Sequence, residues 1–313
     1  MLDLFVLMYN KTGKFSPLFK QFKIDRVIRG GLRFLTNLLI PIVLRLSKKI
    51  VLDSKGESNR IIVSLTTFPA RINNLWIVLE CIFRQTIKPN LIYLVLSKKQ
   101  YPTISSVPSS ILKMRERGLI IELIDEDLKS HNKYFYAMQK FPNDIIVTFD
   151  DDVFYDTKII EDLYKTHLAY PECICANQCR KIIVENNMVK PYLDWPMDYE
   201  LIPSTDLLAM GVGVVLYPPG ALSSKAFNAS LIKSICPKAD DIWLYVMERF
   251  AGNKIVPTGK KRILIDVYNC NNVKLSTMNC AQGLNDKQIN DINVYIKSEY
   301  NTTFNELVNN CRK

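Results

Sequence analysis

The sequence predicts an α/β protein in which a mostly parallel central sheet is flanked by helices and preceded by an N-terminal amphipathic helical extension. Three observations predict it. Short apolar, β-branched runs alternate with segments of helical periodicity from about residue 60 to 250, the pattern of βαβ units. One such run, Ile145-Ile146-Val147-Thr148-Phe149, ends in Asp150-Asp151-Asp152, which places acids at a strand's carboxyl end, where open α/β sheets bind ligands. Charge is also divided. Residues 1–50 hold ten Lys/Arg against Asp3 and Asp25, a net +8 out of the chain's +10, so the body of the protein is nearly neutral.

At 313 residues the chain is long enough for one large α/β domain or two smaller ones, and its apolar content of 48% suits a folded globular protein. A near-neutral body lacks the basic face that nucleic acid requires, which excludes nucleic acid as the main partner. The eight cysteines are scattered. Cys173-x-Cys175-x-x-x-Cys179, with His167 nearby, offers zinc donors without the paired spacing of structural zinc sites. Buried free thiols in a reducing cytoplasm are the alternative.

The first helix is expected from Ser16, a cap with Pro17 behind it, through Phe15, Leu18, Phe19 and Phe22, and Gly30-Gly31 should stop it. A second apolar face follows in Leu35, Leu38, Leu39, Ile42 or Val43, and Leu46, kinked by Pro41. The longest apolar stretch, Phe34 to Leu46, reads as too short to span a bilayer, and it sits too far in, without a small-residue cleavage site, for a secretory signal. Residues 1–52 are therefore a basic amphipathic extension with two uses open. Residues 11–49 either anchor the chain on an anionic membrane surface, peripheral to the inner face of the cell membrane, or fold back on the catalytic domain.

A polar linker is expected at 53–59. The main α/β domain should cover 58–270, with a nucleotide-binding type of half at 58–155 and a second half at 156–270. Arg60 to Thr67 reads as the first core strand, and Leu75, Val78, Leu79, Ile82 and Phe83 share one helix face. Strands follow at Leu91 to Leu96 and Leu119 to Ile124, separated by a helix at about 109–117 that Gly118 ends. A short helix from Tyr134 to Lys140 leads into the acid-tipped strand, and Thr157 to Ala169 returns as a helix. Residues 171–203 are irregular. Gly211-Val212-Gly213 then enters a strand, Ala239-Asp240-Asp241 opens an amphipathic helix, and 254–268 hold a loop and a strand. Residues 271–313 read as a tail with one helix bearing Ile289, Ile292 and Ile296.

Strand alternation would put Asp150 and Asp152 on one side and Asp151 on the other. Two oxygen donors on one side suit Mn2+ or Mg2+; an acidic, solvated turn is the bland alternative. Two glycines entering a strand let a ligand approach the backbone, or mark a bulge. Carboxylates in a helix's first turn complement its dipole or, kept ionised there, serve as a general base. Trp195 and Trp243 present aromatic faces for stacking on a ligand, with core packing the default for Trp243.

Taken in order, Thr66-Thr67-Phe68-Pro69-x-Arg71, Lys133-Tyr134, Asp150-Asp151-Asp152, Gly211-x-Gly213 and Asp240-Asp241 resemble metal-dependent glycosyltransferases of the GT-A fold. The pattern is most similar to bacterial enzymes of surface-polysaccharide assembly, with a local likeness to fringe-type transferases, over roughly residues 60–270. The resemblance implies the GT-A (nucleotide-diphospho-sugar transferase) fold and a nucleotide-sugar donor with UDP as its nucleotide. It also implies a saccharide or lipid-linked saccharide acceptor and Mn2+ or Mg2+ as cofactor. Thr66, Thr67, Arg71 and Asp151 would lie along the donor, with Lys133 near the diphosphate or donor sugar. Asp150 and Asp152 would grip the metal and the ribose. Gly211 and Gly213, with Trp195, would line the acceptor side. Asp241, or failing that Asp240, would be the base, and one separate base predicts inversion. Fringe-type enzymes usually supply a late histidine ligand. Here only His131 and His167 exist, so the metal would hold more water, take another late ligand such as Asp266, or bind weakly.

Two other readings use the same residues. A haloacid-dehalogenase-type phosphohydrolase would take Asp150 as nucleophile, although Phe154 and the late position of the acidic strand depart from that pattern. A non-catalytic glycan-binding, membrane-associated protein would leave two acid pairs without a task.

Overall fold

The computed structural model describes residues 1–12, 24–53, 60–268 and 283–309. The helix expected from Ser16 and most of the linker lie outside the described residues. Four expected runs form parallel strands: β1 (Ile61–Thr66), β2 (Leu91–Ser97), β3 (Leu119–Ile124) and β4 (Ile145–Thr148). Later segments add β5 (Val153–Phe154), β6 (Ile174–Ala176), β7 (Cys179–Lys181), β8 (Val184–Glu185), β9 (Met188–Val189) and β10 (Met197–Asp198). They are followed by β11 (Leu207–Ala209), β12 (Val215–Tyr217), β13 (Ile255–Pro257) and β14 (Ile265–Asp266).

The central sheet has the order β13-β6-β12-β4-β1-β2-β3. It is parallel except for β12, which runs antiparallel between β4 and β6. Both halves of the expected catalytic domain therefore share one sheet. Residues 171–203 are less irregular than expected, since β6 belongs to that sheet and β10-β7-β11 make a small antiparallel one. Strands of two or three residues are too short for periodicity to reveal.

Helices cover both faces. They are α1 (Leu2–Lys11), α2 (Ile24–Leu46), α3 (Ile72–Phe83), α4 (Asn132–Lys140), α5 (Ile159–Ala169), α6 (Ala229–Ile235), α7 (Asp240–Phe250), α8 (Leu284–Tyr300) and α9 (Phe304–Asn309). Side chains alternate out of the strands accordingly. Ile61, Val63 and Leu65 join α3, α5 and the N-terminal helices in one core, while Ile62 joins α4, α7, α8 and α9 in the other. Burial on both faces is why these strands are continuously apolar. The expected helix at 109–117 is a single α-turn at Ser109–Leu112 followed by a 3-10 segment, and it ends at Gly118 with φ +106°.

Two expectations fail. Gly30-Gly31 does not stop a helix, because α2 runs through both glycines and past Pro41 for 23 residues. A helical glycine costs only about 1 kcal/mol, which the packing of Leu32, Thr36, Ile40 and Leu44 outweighs. That corrects the estimate of length too, since α2 is long and apolar enough to cross a membrane. The C-terminal region is also no tail: Ile289, Ile292 and Ile296 of α8 are buried in the second core.

If α2 is part of the domain, Ile40→Ala should lower stability by about 2–4 kcal/mol, because Ile40 is 1% exposed in the first core. Urea denaturation measures this, and an unchanged midpoint would show that α2 does not pack there.

Candidate active site

A cavity of about 600 Å3 opens where β1, β2 and β4 end, lined by Thr66, Thr67 and Ser97, the three acids after β4, and Asp240 and Asp241 at the start of α7. Strand geometry stops at Thr148, and the chain bends through Asp151 and Asp152. The expected alternation of the three acids therefore fails, and all three line the cavity. They divide differently. Asp151 is gripped by Thr67, whose hydroxyl donates at 2.5 Å, and by Arg71 at 2.6 Å; Arg71 also reaches Asp152 at 3.1 Å. Asp150 instead accepts from Lys133 Nζ at 2.8 Å.

These contacts revise several expected roles. Asp151 is an internal anchor for Arg71 and Thr67, with only 7% of its side chain exposed. The Thr66 hydroxyl donates to the Val95 carbonyl, so it ties β1 to β2. Trp195 is 1% exposed, donates to the Lys190 carbonyl and packs on Tyr192, so it cannot stack on a sugar from the cavity. Trp243 is fully buried, as its default reading holds. The glycines make room for protein, not ligand. A Cβ at Gly211 would lie 2.8 Å from Lys133 Nζ and 2.9 Å from Asp241 Oδ1, and one at Gly213 would lie 2.6 Å from Gln178 Cβ.

Lys133 is the hub. Its ammonium contacts Asp150 at 2.8 Å and pairs with Asp240 Oδ2 at 3.0 Å. Against the cost of burial, Lys133 and His131 hold Asp240 below the usual carboxylate range. Burial and the charge of Asp240 push Asp241 the other way, to about 8, despite Lys133. The helix N-terminus was expected to keep both ionised; burial beside a neighbouring anion overrides it. Asp241 accepts the Gly211 N–H at 3.0 Å.

Asp152 is pushed up to about 7 by burial and by Asp150, against the pull of Arg71. Asp266 adds to that repulsion: it lines the same cavity and lies opposite Val153 in the β5–β14 pair, while Arg33 of α2 holds it at 3.1 Å. Among the described residues, no three His, Cys, Asp or Glu side chains gather into a complete metal cage. Asp150 meets Lys133 through Oδ1 and Asp152 meets Arg71 through Oδ2, and both carboxylates line the cavity. That donor set fits a hard divalent ion that keeps water and phosphate in its other positions. His131 is buried between the Cys236 carbonyl and the Tyr134 hydroxyl, and burial lowers it to about 4, so it is no ligand. Cys175 and Cys179 are buried free thiols shifted upward by burial.

Sequence reasoning missed Gln288 on α8. Its carbonyl accepts the N–H groups of Lys238 and Ala239, at 2.9 and 3.1 Å, and so fixes the start of α7. Nothing local to Gln288 signals this, because its partners lie on a distant segment.

No protein-family model matches the sequence, and no curated protein matches it either. Among solved structures, a mannosyltransferase from Pyrobaculum calidifontis in complex with GDP-Man and Mn2+ is 13% identical, with 93% of this chain and 76% of that chain covered and a TM-score of 0.46. S. aureus TarS 1–349 is 10% identical at a TM-score of 0.38, and in complex with UDP 12% identical at 0.38. In both, the match covers 66% of this chain and 59% of that one.

Two outcomes follow from this geometry. Gly211→Ala should abolish activity by displacing the Lys133 ammonium and the Asp241 carboxylate, with a modest loss of stability, whereas Gly213→Ala should cost about 1–3 kcal/mol of stability, because backbone and Cβ atoms of Gln178 must move. Activity assays alongside urea denaturation distinguish the two. Asp152, Asp241 and Glu248 are raised to about 7, 8 and 8, well above their unfolded values, so the native state retains protons that the unfolded chain releases. Their contribution is full below about pH 4 and is lost as pH rises through 7 to 8. The ligand-free melting temperature should fall across that window, and a flat profile in calorimetry would refute the charge assignment.

Proposed function

We propose that the chain is a glycosyltransferase that moves a sugar from a nucleoside diphosphate donor to a saccharide hydroxyl, with surface polysaccharide or glycan as product class. One observation carries the reading. Two carboxylate pairs, Asp150/Asp152 and Asp240/Asp241, share a cavity at the carboxyl edge of a parallel sheet, with Lys133 between them. UDP as the nucleotide and the polysaccharide setting come from the motif resemblance.

Asp150 and Asp152 are the residues that would hold Mn2+ or Mg2+, which when bound offsets the charge developing on the departing diphosphate. Arg71 keeps Asp151 and Asp152 in place. Thr67 and Ser97 give the nucleotide a wall at the ends of β1 and β2. Asp241, at about 8, is matched to accept the acceptor hydroxyl's proton near neutral pH, while Asp240 stays ionised against Lys133. The acceptor oxygen then bonds to the anomeric carbon as the bond to the diphosphate breaks. One separate carboxylate base acting on the acceptor predicts inversion.

Asp241→Asn should retain nucleotide-sugar binding but lose roughly 100- to 10,000-fold in transfer, and with it an acidic limb near pH 8. Asp150→Asn and Asp152→Asn should lose the dependence on added Mn2+. A screen of nucleotide sugars for Mn2+-dependent hydrolysis reads all three variants, since water replaces the acceptor. Wild-type turnover in Asp241→Asn would remove its assignment as base.

A further inference from the structure

The face that α2 turns away from the domain takes no part in this chemistry. Val27, Phe34, Leu38, Ile42 and Leu46 stand 50–84% exposed along one side of the helix, a stripe about 28 Å long at about 1.5 Å per residue. On α1, Leu4 and Leu7 are exposed as well. Cations border the stripe: Arg26, Arg45, Lys48 and Lys49 are exposed, and over residues 24–50 the only acid is Asp25.

The other face is fastened to the active-site segment. Asn37 accepts the Tyr268 N–H at 2.6 Å and donates to the Asp266 carbonyl at 3.0 Å, and Arg33 pairs with the Asp266 carboxylate. Asp3 of α1 accepts both the N–H and the hydroxyl of Thr157, at 2.9 and 2.7 Å. A helix held in this way cannot be surrounded by lipid, although its length would allow it to span. It can lie along a surface with one side immersed.

We propose that the exposed face of α1 and α2 docks the protein flat on an anionic lipid bilayer and holds the cavity beside the membrane surface through Arg33, Asn37 and Asp266. A second copy of the chain fits this face poorly, because both ends of α2 carry exposed cations (Arg26; Arg45, Lys48 and Lys49), so pairing like stripes in either direction sets cations against cations. Anionic headgroups complement those same cations, and the apolar stripe matches the acyl boundary beneath them.

Flotation of the full-length protein with vesicles tests this without any nucleotide sugar, so its failure is separable from failure of the transferase reading. The protein should float with vesicles containing phosphatidylglycerol. It should partition at least about tenfold less with phosphatidylcholine alone, at high salt, or as Phe34→Glu/Leu38→Glu. The double variant should keep its Mn2+-dependent nucleotide-sugar hydrolysis in solution, which shows that it folds. Absence of flotation with either lipid overturns the proposal. So does light scattering that shows a dimer broken by the double variant, since the stripe would then be covered by a second copy.

Discussion

Crowding of like charge governs this structure. Asp150, Asp151, Asp152, Asp240, Asp241 and Asp266 line one partly dehydrated cavity, and Arg71, Lys133 and Arg33 are the cations that touch them. Coulomb repulsion is weakly screened there, so the acids cannot all ionise together. The fold responds in two ways. Asp240, against Lys133, stays low as an anion, while burial drives Asp151, Asp152 and Asp241 toward the protonated form in spite of the cations nearby. A cavity poised in this way favours positive charge in its ligand, and the arrangement of the sheet, α7 and α2 around it keeps the acids from moving apart.

The framework was legible because its signal is local. Runs such as Ile61 to Leu65 and Ile145 to Thr148 are apolar and β-branched at every position, which only a strand covered on both faces explains. The acids were legible as groups for the same reason. Their division of labour was not. It depends on Lys133 and Arg71, which reach the acids from other elements, and on the chain leaving strand geometry after Thr148, which no residue type marks. β12 escaped notice as an antiparallel insertion because it is three residues long, and Trp195 looked available because burial of an aromatic side chain is a tertiary fact.

The N-terminal helices show how two opposed readings can both hold. The apolar periodicity of α2 suits packing on the domain and packing on something outside it. The structure gives each to a different side, with Ile40 and Leu44 inward and Phe34 and Leu38 outward. Composition alone could not separate them, since a helix with two apolar faces has the same residue content whichever face is covered.

The grip of Gln288 on the first turn of α7 bears on biosynthesis. Chains emerge from the ribosome N-terminus first, and the fourteen strands among the described residues all precede residue 283. A nascent polypeptide can therefore assemble its sheet while the carboxylates at 240 and 241 still sit on an unfastened helix start. The start of α7 is fastened only after the segment that bears Gln288 has been made and has packed.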